Sequence, residues 1–263
     1  MHQSRYTDSE KYFDELSVSS RKYYFPYLKE LKTFSHGTSI LELGCGEGGN
    51  LLPFSEAGCR VTGCDLSERK ICTADSVFKK QGLQGEFFCC DVMVFEPGCK
   101  YDIIMIHDVV EHIEPEVKLP FFQKVKSLLK EDGIVFWAFP DWYMPFGGHQ
   151  QILWKSKLSK CPWLHLLPLK AYEAVLKRSS KVPDSSVSEL LSIRRSRMTI
   201  KSFEKLCALS GQRIIARRCW LVNPHYEVKF SLKPRKLPVW LSKTPVLRDV
   251  MSTSCHFITV KDC

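Results

Sequence analysis

The residues best equipped for chemistry in this sequence are acids and histidines placed where apolar runs end. Ser39-Ile40-Leu41-Glu42-Leu43 carries a carboxylate inside an apolar run, breaks into Gly44-Cys45-Gly46-Glu47-Gly48-Gly49, and resumes as Asn50-Leu51-Leu52. A strand that gives way to glycines and then to a helix lets the backbone approach a ligand, because no Cβ stands between them. Gly44, Gly46 and Gly49 also satisfy the dinucleotide pattern G-x-G-x-x-G. Asp65 closes a second apolar run, where a carboxylate can accept two hydrogen bonds from ribose hydroxyls. Asp91 closes a third. His107, His112 and His149 follow fourth and fifth apolar runs. Histidine titrates near neutral pH, so it suits the removal of a proton from a hydroxyl.

Glu42-Leu43-Gly44-Cys45-Gly46-Glu47-Gly48 resembles the first motif of class I S-adenosylmethionine (SAM) methyltransferases, acidic-x-Gly-x-Gly-x-Gly. The run Tyr101 to Ile113, with its Glu-His-Ile ending, resembles the fourth-strand motif of the ubiquinone-biosynthesis O-methyltransferases and their relatives. A carboxylate in an apolar strand is costly without a partner. The resemblance implies that Glu42 lies near the cationic methionine end of the cofactor, with Gly44, Cys45, Gly46 and Gly48 forming the loop beside it. It implies further that Asp65 holds the ribose, Leu66 presses on the adenine, Asp91 meets the adenine amino group with Val92 alongside, and His107 falls close to the methyl donor. The product would be S-adenosylhomocysteine. Some relatives carry Glu-x-x-Glu-His with magnesium in the fourth-strand region. Here Asp108, Glu111 and His112 occupy those places, so they could hold a divalent metal or simply order the loop and the helix that follows.

The implied fold is α/β: a Rossmann-like sheet of seven strands, order 3-2-1-4-5-7-6 with strand seven antiparallel, helices on both faces and a helical cap inserted after strand five. The resemblance implies the following division of the chain. Residues 1–36 form an N-terminal helical cap, in which Tyr6 or Tyr12 could line the site. Residues 37–139 and 199–263 form the cofactor-binding core, and 140–198 the substrate cap. Expected strands are 39–43, 59–64, 85–89, a fourth beginning at 101, 134–139, 213–222 and 254–261. Val117, Phe121, Phe122, Val125, Leu128 and Leu129 mark the buried side of a helix over 115–130. Glu131-Asp132-Gly133 reads as a turn, and residues 181–189, beginning at Lys181, as a loop.

Pro140 to Gln151 adjoins the expected cleft and contains Gly147-Gly148-His149-Gln150. His149 is the first candidate for a general base, with His112 or His107 next if His149 is structural. Trp142 and Tyr143 could form an aromatic wall for the acceptor, with Gln150 beside them.

The formal charge is +9, and residues 151–200 hold ten Lys or Arg against three Asp or Glu. With Trp154, Trp163, Leu164, Leu166 and Leu167 among them, that basic segment reads either as a lid packed on the core or as a surface for an anionic membrane or lipid-like substrate. No recognised nucleic-acid module accompanies it. The 12 cysteines fall into no C-x-x-C or zinc spacing, so reduced thiols in a cytoplasmic protein, peripheral to the membrane at most, are expected; Cys89-Cys90 could form a redox pair. The first residues contain no apolar signal region, and no run is long enough to span a membrane.

Together these features point to methyl transfer from SAM to a small-molecule or lipid-like acceptor at a hydroxyl oxygen. No Asn/Asp-Pro-Pro-Tyr motif follows the fourth strand. Competing readings are methylation of RNA or protein gripped by the basic cap, an NAD-dependent oxidoreductase, and a SAM-binding protein without catalysis.

Overall fold

The computed structural model describes residues 8–153, 155–178 and 182–262. Tyr6, Trp154 and Lys181 therefore lie outside the described residues. The chain opens with α1 (Ser9–Ser19), a π-helical turn over Ser20–Tyr24 and α2 (Phe25–Lys29). The core then runs β1 (Ser39–Leu43), α3 (Leu52–Glu56), β2 (Arg60–Asp65), α4 (Glu68–Lys80), β3 (Glu86–Cys89), β4 (Tyr101–His107), α5 (Pro115–Leu128) and β5 (Leu129–Phe139). Three 3₁₀ turns lead to α6 (Leu169–Arg178) and α7 (Asp184–Ser196). The chain closes with α8 (Ile200–Leu209), β6 (Gln212–Val222), α9 (His225–Phe230), β7 (Arg235–Lys236), α10 (Val239–Ser242), α11 (Pro245–Met251) and β8 (Ser254–Lys261).

The sheet has eight strands in the order β3-β2-β1-β4-β5-β8-β6-β7. The expected order holds for seven of them, and β8 runs antiparallel to both β5 and β6. The additional β7 is a two-residue edge pairing with β6. Side chains alternate across the central strands. Leu41, Leu43, Ile104, Ile106, Val135, Trp137 and Phe139 face a core shared with α5 and α8. Ile40, Ile103, Met105, Ile134, Phe136 and Ala138 face another shared with α2 and α4. Burial on both faces is what a parallel sheet with helical crossovers requires. Trp137 stacks on Phe122, with ring centroids 4.4 Å apart, and its Nε1 donates to Thr259 Oγ1 at 2.9 Å, so the central strand is tied to β8 as well as packed.

Several local expectations change. Leu129 begins β5 rather than ending a helix, and Glu131-Asp132-Gly133 is an irregularity inside that strand: Tyr101 pairs Leu129, whereas Ile103 pairs Ile134. Val117 is exposed and Lys118 is buried, because Lys118 reaches across to donate to the Ser196 carbonyl at the end of α7. The loop expected over 181–189 gives way to helix from Asp184, which follows Pro183 in an extended conformation. Leu153, Tyr172, Leu176, Val187 and Leu190 form a small core within the segment after β5. None of the described helices is long and apolar enough to cross a membrane.

Candidate active site

The strand order reverses between β1 and β4, and the crevice outside their carboxyl ends is where ligands sit in such sheets. Its floor is the glycine loop. The N–H groups of Gly44 and Cys45 both donate to the Cys64 carbonyl, at 2.7 and 3.0 Å, which pins the loop to the end of β2. Gly44 has φ +73°, and a Cβ there would collide with Val109 Cγ2. Glycine is thus required by conformation and by space. Cys45 is buried, with its thiol on the Gly46 carbonyl, and Gly48 precedes the 3₁₀ turn that starts the helix.

Asp65 does more than the sequence suggests. Its Oδ2 accepts from Gly46 N at 2.9 Å and its Oδ1 from Ser67 N at 2.9 Å. The carboxylate closes the glycine loop and keeps further lone pairs for a ribose. Glu42 is fully buried, and its Oε1 accepts from Asn50 Nδ2 at 2.7 Å, while Oε2 has no hydrogen-bond partner among the described residues. Burial pushes its pKa up to about 8; the Asn50 bond opposes this and the charge of Asp65 adds to it. Glu47 is also buried, with neither carboxylate oxygen hydrogen-bonded among the described residues, and burial raises its pKa. Sequence reasoning missed Asn50 and Glu47. The signal for Asn50 was a polar residue at the start of an otherwise apolar helix.

A cleft of about 470 Å³ opens above this loop, large enough for a cofactor-sized ligand. Gly44, Asp65, Leu66, Asp91, Val92, Asp108 and His112 line it, together with Val109, Ile113 and Val117. Asp91 accepts from Met93 N at 2.8 Å and is otherwise exposed; Leu66 stands 75% exposed at the lip. Cys90 also lines the cleft, its sulfur 3.2 Å from that of Cys64; Cys89 donates instead to the Leu66 carbonyl, so the close sulfur pair is Cys64–Cys90 and not Cys89–Cys90.

A second cavity, about 100 Å³, is lined by Tyr12, Asp108, Met144, Phe146, His149, Gln151, Asn223, His225, Tyr226 and Lys229 among others. Asp108 lines both spaces. Its φ is +53°, and its N–H donates to the Ala138 carbonyl at 2.8 Å. His149 is also left-handed, with φ +56°. Two non-glycine residues held in that region at one site mark a backbone constrained by its surroundings. His149 Nε2 lies 3.8 Å from Glu111 Oε1, and its ring meets that of His112 edge-on at 5.0 Å. Burial raises the Tyr226 hydroxyl to about 12, with the charge of Asp108 contributing, so it keeps its proton.

Other expected site residues lie elsewhere. His107 is buried against the π-helical turn, its Nε2 within 2.9 Å of the Tyr24 hydroxyl and its Nδ1 3.6 Å from Asp108 Oδ2, and it lines neither space. Trp142 is buried against the His165 ring at 4.5 Å, and its carbonyl is 2.8 Å from His165 Nε2. Gln150 is buried, donating to the Pro145 and Cys161 carbonyls. Tyr143 is exposed and forms no part of the second cavity's lining. Trp142 and Gln150 thus help build the segment after β5 and line neither space. Gly148 is there for the same reason, since a Cβ would run into His165. Among the described residues, the group of possible metal ligands whose atoms lie within 4.8 Å of one another is Glu111, His112 and His149, and it leaves Asp108 out.

A family model described as "Methyltransferase domain" matches residues 40–133. The ubiquinone biosynthesis O-methyltransferase of Rhodopseudomonas palustris (strain BisB5) is 31% identical over 102 residues, 39% of this chain and 40% of that protein. A probable (S)-tetrahydroprotoberberine N-methyltransferase 2 of Papaver bracteatum is 29% identical over 126 residues, 47% of this chain and 34% of that protein. The chain thus spans less than half the length of these curated relatives. The structure of magnesium protoporphyrin IX methyltransferase from Synechocystis PCC 6803 with bound SAH superposes with a TM-score of 0.56 at 14% identity, over 94% of this chain and 84% of that one. That likeness is one of fold.

Proposed function

We propose that this chain is a class I SAM-dependent methyltransferase, as its matches to the methyltransferase domain and to ubiquinone biosynthesis O-methyltransferases support, and that it transfers the methyl group to a small-molecule or lipid-like acceptor at a hydroxyl oxygen. SAM supplies a methyl group already activated as a sulfonium. Glu42, the Gly44–Gly48 loop, Asp65, Leu66, Asp91 and Val92 bind and orient the donor; Asp108 stands at the junction of the donor and acceptor spaces. His149 accepts the hydroxyl proton as the acceptor oxygen forms its bond to the methyl carbon and the carbon–sulfur bond breaks. The observation that carries the proposal is that Asp108 lines both the larger cleft over the glycine loop and the smaller cavity containing His149. A donor in the first would meet an acceptor in the second. For an activated donor, such positioning with exclusion of water supplies much of the catalysis.

A second reading rests on the proximity of Glu111, His112 and His149. A carboxylate and two imidazoles suit a divalent transition metal. These three residues would hold it, and it would polarise the acceptor hydroxyl. His149 would then be a ligand and not a base.

The test incubates the protein with methyl-labelled SAM and a cell extract, with and without chelator, and separates the products. Label in organic-extractable or small polar products, insensitive to chelator, supports the first reading. Loss of activity with chelator, with metal retained by the protein on dialysis, supports the second. Label in protein or RNA overturns the substrate class, and unlabelled products despite tight donor binding overturn the activity.

A further inference from the structure

Between α9 and the end of β8's approach lies a connection that the donor and acceptor sites do not use. From Val228 to Arg248 the chain contains no Asp or Glu. Leu237 and Leu241 are buried in the core shared with α5 and α8, which fixes the orientation of the short helices around them. Anchoring by those two leucines turns their neighbours outward. Val239 is 71% exposed, Trp240 67% and Val246 73%, with Leu232 and Leu247 also exposed. Lys233, Arg235, Lys236 and Lys243 stand exposed among them. A group of large apolar side chains held out in water, with Trp among them, marks an interaction surface.

We infer that this connection is a docking surface for an anionic lipid bilayer. The inference goes beyond methyl transfer and does not depend on it. It also differs in place from the basic segment after β5, whose charge first suggested membrane contact.

The pairing of chemistries selects the occupant. Aliphatic groups gain from insertion at the headgroup–acyl boundary, the indole is at home at that depth, and the four cations meet the negative surface potential. A second copy of the chain would set the same cations against each other. A nucleic acid would satisfy the cations but leave Val239, Val246 and Leu247 without an apolar partner. Chain continuity places the surface close in sequence to the proposed acceptor cavity, since Lys229 lines that cavity and Leu232 stands three residues further on.

The test floats the full-length protein with phosphatidylcholine vesicles, alone or mixed with phosphatidylglycerol, at low and high salt. The protein should float with the mixed vesicles and not with phosphatidylcholine alone. Trp240→Ser combined with Val246→Ser should lower partitioning by roughly tenfold or more, whereas Trp240→Phe should largely keep it. Lys233→Gln with Arg235→Gln and Lys236→Gln should remove the salt-sensitive part. These side chains are exposed, and an unchanged melting temperature verifies that each variant folds. Failure of the wild-type protein to float overturns the inference. So does flotation that is indifferent to all these variants, a dimer in light scattering that the Trp240 variant dissolves, or a lysine-dependent preference for RNA over vesicles. None of these readouts requires methyl transfer, so the two proposals fail separately.

Discussion

The cleft over the glycine loop, proposed here as the donor side, and the cavity at His149, proposed as the acceptor side, are built in opposite ways. The donor side comes mainly from one stretch, Glu42 to Phe121, with Glu189 added from α7, and the ends of four neighbouring parallel strands hold it in place. Backbone groups do much of the work there: Gly44 and Cys45 bond to Cys64, and Gly46 and Ser67 bond to Asp65. The acceptor side draws Tyr12 from the first helix, His149 from the segment after β5, Tyr226 and Lys229 from α9, and Thr253 from the turn before β8. Side chains from distant segments define it. A site made of backbone can be altered only by breaking the loop, whereas one made of side chains can change its acceptor by single substitutions. The comparison therefore predicts that variants on the donor side damage binding of any donor, while those on the acceptor side leave donor binding intact.

The largest effect should come from Gly44→Ala. Its Cβ meets Val109 in a left-handed backbone, and the loop must move. A displacement of that size is expected to cost about a hundredfold or more in donor affinity, measured by calorimetry with S-adenosylhomocysteine. Adding Val109→Ala should restore only part, because the φ angle remains unfavourable. Full restoration would show that space, not conformation, makes the glycine necessary.

His149→Gln keeps a polar side chain of similar reach but removes the base. Turnover should fall about 10²- to 10⁴-fold, with donor affinity unchanged within error. Unchanged turnover would remove His149 from the chemistry and leave Asp108 as the group at the junction. Loss of donor binding as well would erase the division between the two sides.

Asp65→Ala should weaken the donor by about 10- to 100-fold, through hydrogen bonds to a charged group. Part of this loss comes from the loop, since Gly46 and Ser67 lose their acceptor. Hydrogen exchange separates the two causes: faster exchange at Gly46 without donor reports the loop contribution. Undiminished donor affinity would refute the ribose assignment.

The same contrast explains what could be read in advance. The five parallel strands are legible because each is an apolar run with a turn or glycine at its end, and the donor residues sit at those ends. Leu129 was ambiguous because an apolar pair at a helix–strand junction satisfies both periods, and only pairing with Tyr101 decides it. β7 is two residues between prolines, too short for any periodicity. Val117 follows helical spacing yet faces the cleft, since the start of α5 overhangs the crevice instead of the core. On the acceptor side, Trp142 and Gln150 looked functional by type and position. They are consumed in packing the segment against His165 and Cys161, contacts that no local pattern announces. Tyr12 was expected to line the site and does, but Tyr226 and Lys229 were missed because they join it only after more than two hundred residues of chain are folded.

The smallest effect expected is also the most direct probe of the donor's charge. Glu42 is buried and its pKa is pushed up to about 8, so in the free protein it is mainly protonated at neutral pH. Its contribution to the stability of the free protein is fully present below its ordinary value of 4.5 and is lost as pH rises to about 8. A cationic donor beside the carboxylate favours the charged form and reverses this preference. Binding near pH 7 should then release a proton, approaching one per donor bound, and affinity should rise less than about tenfold as pH increases toward 8. Calorimetry in two buffers of different ionisation enthalpy measures the release. Glu42→Gln retains an acceptor for Asn50 and should abolish both the proton release and the pH dependence, with the free protein no longer losing stability between pH 5 and 8 through this group. If the wild-type protein releases no proton, the carboxylate is already ionised in the open cleft or lies too far from the donor's charge to sense it. Glu42 would then belong to the architecture of the loop, through Asn50, and the donor side would recognise its ligand by backbone shape alone.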